Sequence, residues 1–181
     1  MKRIAFLTLI LCAIGFGLIL VVLPRMRADA EARLEYKLVR EPYLRVKQGD
    51  RRVNVMRGEL LRLLASDEQC VANLREINFS SVEFSSADSQ ALSALERTSI
   101  INFYCCKNAD SILPACSNLP LVSVGFELTI FSPQSVKILG EIPTLSSFLV
   151  EQNLDSNQVA AMKLLPKTIT IRSSFPMDAY D

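Results

Sequence analysis

Hydrophobic residues in this chain are organised on two scales. Twenty consecutive uncharged residues run from Ile4 to Leu23, and beyond residue 70 short apolar pairs return at a nearly constant interval. The stretches LREINF from Leu74, TSIINF from Thr98, LVSVGF from Leu121 and LSSFLV from Leu145 begin 24, 23 and 24 residues apart. In each, the fourth and sixth positions are apolar: Ile77 and Phe79, Ile101 and Phe103, Val124 and Phe126, Phe148 and Val150. Such alternation predicts a short strand with one buried face. Val53 and Val55 fit the same columns upstream, and Ile169 and Ile171 of TITI fit them downstream.

The second half of each unit keeps register as well. Leu92, Cys116 and Leu139 share one column, and Val71, Leu95, Leu119 and Ile142 share another, with Leu165 one residue short of it. Pro120, Pro143 and Pro166 follow, which predicts helical stretches ended before each new strand. Ser132 ahead of Pro133, and Asp155-Ser156, read as helix N-caps. A single unit cannot bury its strand face, so neighbours must stack, with parallel strands on one side and helices on the other.

Upstream, Arg57 to Ala65 has the spacing of a short amphipathic helix. Leu44 and Val46 alternate as Val53 and Val55 do, and with Gln48-Gly49-Asp50 between them they predict a hairpin. Ala28 to Leu38 reads as a helix ending before Pro42. Residues 44–72 are placed to cap the N-terminal end of the stack, and SSFPMDAYD, with Phe175 and Met177, the other.

The unit resembles a leucine-rich repeat of the short bacterial type, L-x-x-L-x-L followed by a helix and L-P. Its best match is LSSFLVEQNLDSNQVAAMKLLP, residues 145–166, with Asn153 where that family carries an asparagine ladder. The resemblance covers about residues 74–173. It departs at Thr98, which replaces the first leucine, and at Val82, Cys106 and Thr129, which replace the asparagine. It implies an α/β solenoid and a protein-binding strand face.

The apolar run changes the picture at the N-terminus. As a helix, twenty residues span about 30 Å, the thickness of the hydrocarbon core of a bilayer. Lys2 and Arg3 precede the run, and Pro24, Arg25 and Arg27 close it. It therefore reads as an uncleaved transmembrane signal-anchor, with a signal peptide cut at Ala28-Asp29-Ala30 as the competing reading. The expected organisation is a membrane helix at 1–24, a basic linker at 25–49 and a repeat domain at 50–181, in a single-pass membrane location. Excess positive charge after the run favours a cytoplasmic body, whereas a basic N-terminus before an apolar run also begins export signals; the two arguments leave the side open.

Net charge is +1 over 181 residues, and its distribution carries more than its total. From Arg25 to Arg62, 11 Lys or Arg stand against 6 Asp or Glu; from Leu63 to Asp181, 7 stand against 13. The basic stretch 25–62 is expected to meet anionic lipid headgroups beside the apolar segment 4–23 rather than nucleic acid. The chain has no histidine and no tryptophan. Histidine-dependent triads and zinc sites are thereby excluded.

Five cysteines, Cys12, Cys70, Cys105, Cys106 and Cys116, contain no C-x-x-C spacing. They read mainly as core residues, with a Cys106–Cys116 disulfide or a reactive, outward-pointing Cys105 as the alternatives. Neither a phosphate-binding glycine loop nor a nucleophile elbow occurs, and the serines of SSVEFSSADSQALS lack an adjacent base. No cofactor, metal or catalytic residue is expected. The chain reads as a non-enzymatic interaction module for an unidentified protein partner, or as an assembly component acting through its apolar helix. The outward strand positions expected to carry binding are Asn78, Asn102, Tyr104, Glu127, Glu151 and Arg172, with Glu127 and Glu151 about 5 Å apart on neighbouring strands.

Overall fold

The structure is a computed structural model and describes residues 22–173. The chain divides into two compact units, Met1–Lys37 and Leu38–Asp181. In the first, residues 22–35 form helix α1, with charges at Arg25, Arg27, Asp29, Glu31, Arg33 and Glu35. One Asp, Lys or Arg costs about 2.5–3.5 kcal/mol at the centre of a bilayer-spanning helix. Among the described residues no helix is long and apolar enough to cross a membrane. This overturns the expected fold headed by a transmembrane signal-anchor helix, and with it the single-pass membrane location. Residues 4–21 of the expected span lie outside the described residues.

Tyr36–Arg40 is a π-helical turn, and α2, Glu41–Lys47, follows it. Pro42 accounts for the widened turn, because it has no N–H for the carbonyl of Leu38 and its ring crowds that carbonyl. The expected helix end before Pro42 and the expected hairpin at Leu44 and Val46 are both corrected, since these residues lie in α2. Gln48-Gly49-Asp50 is a helix terminator. Gly49 has φ +119°, its N–H donates to the carbonyl of Val46 (3.0 Å), and that of Asp50 donates to Arg45 (3.0 Å), the two bonds of a Schellman motif.

Six strands follow: β1 Arg52–Val55, β2 Glu76–Ser80, β3 Ile100–Tyr104, β4 Ser123–Glu127, β5 Ser147–Glu151 and β6 Thr170–Ser173. They form one sheet in sequence order, and every adjacent pair is parallel. Between them lie α3 Gly58–Ala65, α4 Glu68–Asn73, α5 Ser86–Ser93, α6 Pro133–Gly140 and α7 Ser156–Lys163. The third unit carries 3-10 turns instead, Ala109–Ser111 and Leu113–Asn118, where Pro114 removes a backbone donor. The helical layer stacks in order: α3 on α5, α5 on the 3-10 turns, these on α6, and α6 on α7.

The apolar columns become the sheet register. Val53, Ile77, Ile101, Val124 and Phe148 are successive partners, as are Val55, Phe79, Phe103, Phe126 and Val150, and all ten are buried. Phe79, Phe103 and Phe126 stack with centroids 5.4 and 5.1 Å apart, and Phe84 and Phe131 close on them from the loops. The last strand departs from expectation. Ile171 pairs with Phe148 and Arg172 with Leu149, so TITI sits two residues from the register its alternation suggested. A two-residue slip preserves which side chains face inward, so alternation alone cannot choose between the registers.

Candidate functional site

The face of the sheet opposite the helices is open, and three columns of side chains line it. Arg52, Glu76, Ile100, Ser123, Ser147 and Thr170 form the first. Asn54, Asn78, Asn102, Gly125, Leu149 and Arg172 form the second. Ser80, Tyr104, Glu127 and Glu151 form the third. Of the six residues expected on this face, five lie in the expected columns; Arg172 lies one strand beyond Leu149 rather than beside Glu151.

The asparagines make a ladder that follows from their 24-residue spacing. Asn102 Nδ2 donates to Asn78 Oδ1 (2.8 Å), and Asn78 Nδ2 donates to Asn54 Oδ1 (3.2 Å). Its direction is set at the first column. Asn78 Nδ2 also donates to Glu76 Oε1 (3.2 Å), and Glu76 Oε2 is held by Arg52 Nη2 (2.8 Å). An ionised carboxylate only accepts, so the Asn78 amide nitrogen must lie on that side. Asn102 is therefore left with its carbonyl oxygen free at the ladder's far end. That oxygen lies over Gly125, where a Cβ would stand 2.5 Å from it. The break in the asparagine column at Gly125 makes room for the neighbouring amide.

Around this point is a depression of about 160 Å3, walled by Asn102, Tyr104, Glu127, Leu149 and Glu151 with Gly125 in its floor. It is smaller than the ~300–1,000 Å3 of small-molecule pockets, a size suited to one side chain rather than to a whole ligand. Tyr104, Glu127 and Glu151 are register partners on β3, β4 and β5, so the two carboxyl groups rise from strands about 4.8 Å apart. Neither has an ion pair among the described residues. Cys105 beside it, and then Glu127 across the ladder, hold the Tyr104 hydroxyl above its ordinary pKa. At neutral pH it is a phenol that can donate or accept.

The rim beyond the strand ends is apolar. Leu128 is 60% exposed and Ile130 85%, and Tyr104 itself is 42% exposed. Ser81, Cys105 and Leu128, the residues that follow β2, β3 and β4, all have left-handed backbone, with φ of 55°, 51° and 49°. The expected place of an asparagine ladder in the loops is taken by other residues. Cys106 N–H donates to Thr129 Oγ1 (3.0 Å), Thr129 N–H to Gln152 Oε1 (2.7 Å), and Gln152 Nε2 back to the Thr129 carbonyl (2.8 Å). Asn153, expected to fill that place, is exposed. Signals missed in the sequence were the recurrence of asparagine at 54, 78 and 102, and the glycine that interrupts it.

Cys70, Cys105, Cys106 and Cys116 are all free thiols. Burial raises the Cys70 thiol to about 11 and the Cys116 thiol to about 12, and raises Cys106 as well. Cys105 is the half-exposed member, placed by its left-handed backbone beside Tyr104. Among the described residues no group of three or more Cys, Asp or Glu converges as a metal site would require. Compared with known proteins, the chain matches no family model, no curated protein and no solved structure.

Proposed function

We propose that this protein is a non-enzymatic recognition module that binds a protein partner through its open strand face, in the manner of a leucine-rich repeat. The observation that carries this reading is the depression over Gly125. It lies in the middle of the face and is walled by side chains from three neighbouring strands, and the loop that follows β4 carries the exposed apolar residues Leu128 and Ile130. Interface centres favour an aromatic anchor flanked by a polar rim, and Tyr104 between Asn102 and Glu127 offers that combination. The face is rigid at this point, since the strands that wall the depression, β3, β4 and β5, are each tied to two neighbours and the phenylalanine stack lies directly beneath them.

The test is site-specific photo-crosslinking in the full chain, within the cells that make it, with the reactive group at position 104 or, on the helical side, at the exposed position 137. A discrete protein adduct from position 104 that disappears in E127K/E151K, with none from position 137, is the expected result. Equal adducts from both positions, or an adduct indifferent to the charge reversal, would overturn the strand-face reading.

A further inference from the structure

We infer that the depression over Gly125 is a subsite for one arginine side chain of the protein partner. The inference rests on the strand-face reading and adds the chemistry of the occupant. Three acceptors converge there. Glu127 and Glu151 bring two carboxylates that form no ion pair among the described residues, and Asn102 presents the carbonyl oxygen at the acceptor end of the amide ladder. The ladder's direction matters to this point. The Arg52–Glu76 pair fixes the Asn78 amide, so the acceptor end of the chain, and not its donor end, faces the depression. Hydrogen-bonded amides polarise one another in the same sense, which strengthens that terminal acceptor.

The floor and walls set the shape. Gly125 leaves the space in which the Asn102 carbonyl oxygen sits, and Leu149 and the Tyr104 ring supply apolar surface for a side-chain stem. A guanidinium is planar, always charged and carries five donors in a fixed fork, so it can bridge two carboxylates on adjacent strands while donating to Asn102. It also stacks on an aromatic ring. An ammonium is a compact, strongly hydrated charge that would leave part of this acceptor set unmatched. Of the two arginines in these columns, Arg52 is paired with Glu76, and Arg172, on β6 beyond Leu149, forms no ion pair with Glu127 or Glu151.

The experiment titrates the isotope-labelled full chain with the peptide acetyl-Gly-Ser-Arg-Ser-Gly-amide, following the backbone amide of Gly125 and the side-chain amide of Asn102. Companion peptides carry citrulline, lysine or norleucine in place of the arginine. Saturable shifts centred on Gly125 and Asn102 are expected with the arginine peptide, with affinity at least tenfold above the citrulline peptide. E127Q/E151Q, which keeps the shape of the site, is expected to remove that tenfold advantage, and G125A to abolish the shifts. Equal binding of arginine and citrulline, of arginine and lysine, or of the parent chain and E127Q/E151Q would overturn the arginine assignment. The absence of any saturable shift would overturn it too. Norleucine binding at the same residues would remove the arginine subsite and leave the strand-face reading standing. Shifts confined to the helical side would remove both.

Discussion

Leu128 adopts φ 49° while more than half exposed, a conformation that costs an L-residue about 1–2 kcal/mol. Asparagine tolerates that region, so L128N is expected to raise stability by about 1 kcal/mol, read from the urea midpoint. If the strain is retained for binding, the same variant weakens the crosslink from position 104. Thr98 makes the opposite kind of local error. It stands in a leucine column, fully buried, and its hydroxyl is the one buried side-chain polar atom among the described residues without a hydrogen-bond partner. T98V removes an unpaid desolvation and is expected to stabilise by about 1 kcal/mol in the same measurement. The cysteines divide by burial. Because the thiolate is the reactive form, Cys105 is expected to be labelled by a thiol reagent at pH 8 ahead of Cys70, Cys106 and Cys116, as peptide mapping would show.

Elements are held to one another by a few charged contacts. Asp67 caps α4 through the N–H groups of Gln69 and Cys70, and its other oxygen receives Lys47 Nζ (2.8 Å) and the Tyr43 hydroxyl (2.7 Å) from α2. The Lys47 hydrogen bond, followed by that of Tyr43, pulls the Asp67 carboxyl well below the ordinary range, and Asp67 raises Lys47 in turn. A depressed carboxyl contributes stability above its unfolded value, and a raised amine contributes it below its own. The pair is therefore fully effective between about pH 4 and about pH 10.4 and fades outside those limits. The melting difference between the parent chain and K47M should be widest inside that window and shrink below pH 3. A second tie joins α3 to α5. Arg62 Nη1 meets Asp88 Oδ1 at 2.5 Å, and Oδ2 accepts from the Ser85 N–H and hydroxyl as part of a capping box. Gly58 leaves the space that this carboxylate fills. Asp88 is almost wholly buried, so R62M strands its charge and should cost about 3 kcal/mol by urea denaturation, of which R62M/D88N recovers part.

At the scale of the molecule, the second unit is a stack in which each repeat touches chiefly its neighbours. Stability in such an array is close to a sum of repeat and interface contributions. Phe103 lies at the centre, stacked on Phe79 and Phe126 and met edge-on by Phe84. F103A is expected to cost about 3–5 kcal/mol and to broaden the urea transition, because it opens a cavity at two repeat interfaces at once. Charge also varies across the open face. β1 carries Arg52, and Glu127 and Glu151 of β4 and β5 wall the depression, so one open face carries both a donor and an acceptor region.

The chain's own pattern determined the 23–24-residue period, the inward columns from Val53 to Phe148 and from Val55 to Val150, and the caps at Ser132 and Asp155. Each follows from alternation or from local hydrogen bonding, which a short stretch of sequence contains in full. What only the tertiary structure decided lies between residues far apart in the chain. Alternation says which side chains face inward but not which residue of the next strand they oppose, and so Arg172 fell two residues from its expected place. A glycine with positive φ serves a hairpin or a helix terminator equally well, and Gly49 ends α2 because that helix buries Val46 against the rest of the second unit. The direction of the asparagine ladder, and hence the acceptor over Gly125, depends on Arg52 and Glu76, which meet only because β1 and β2 pair across 24 residues.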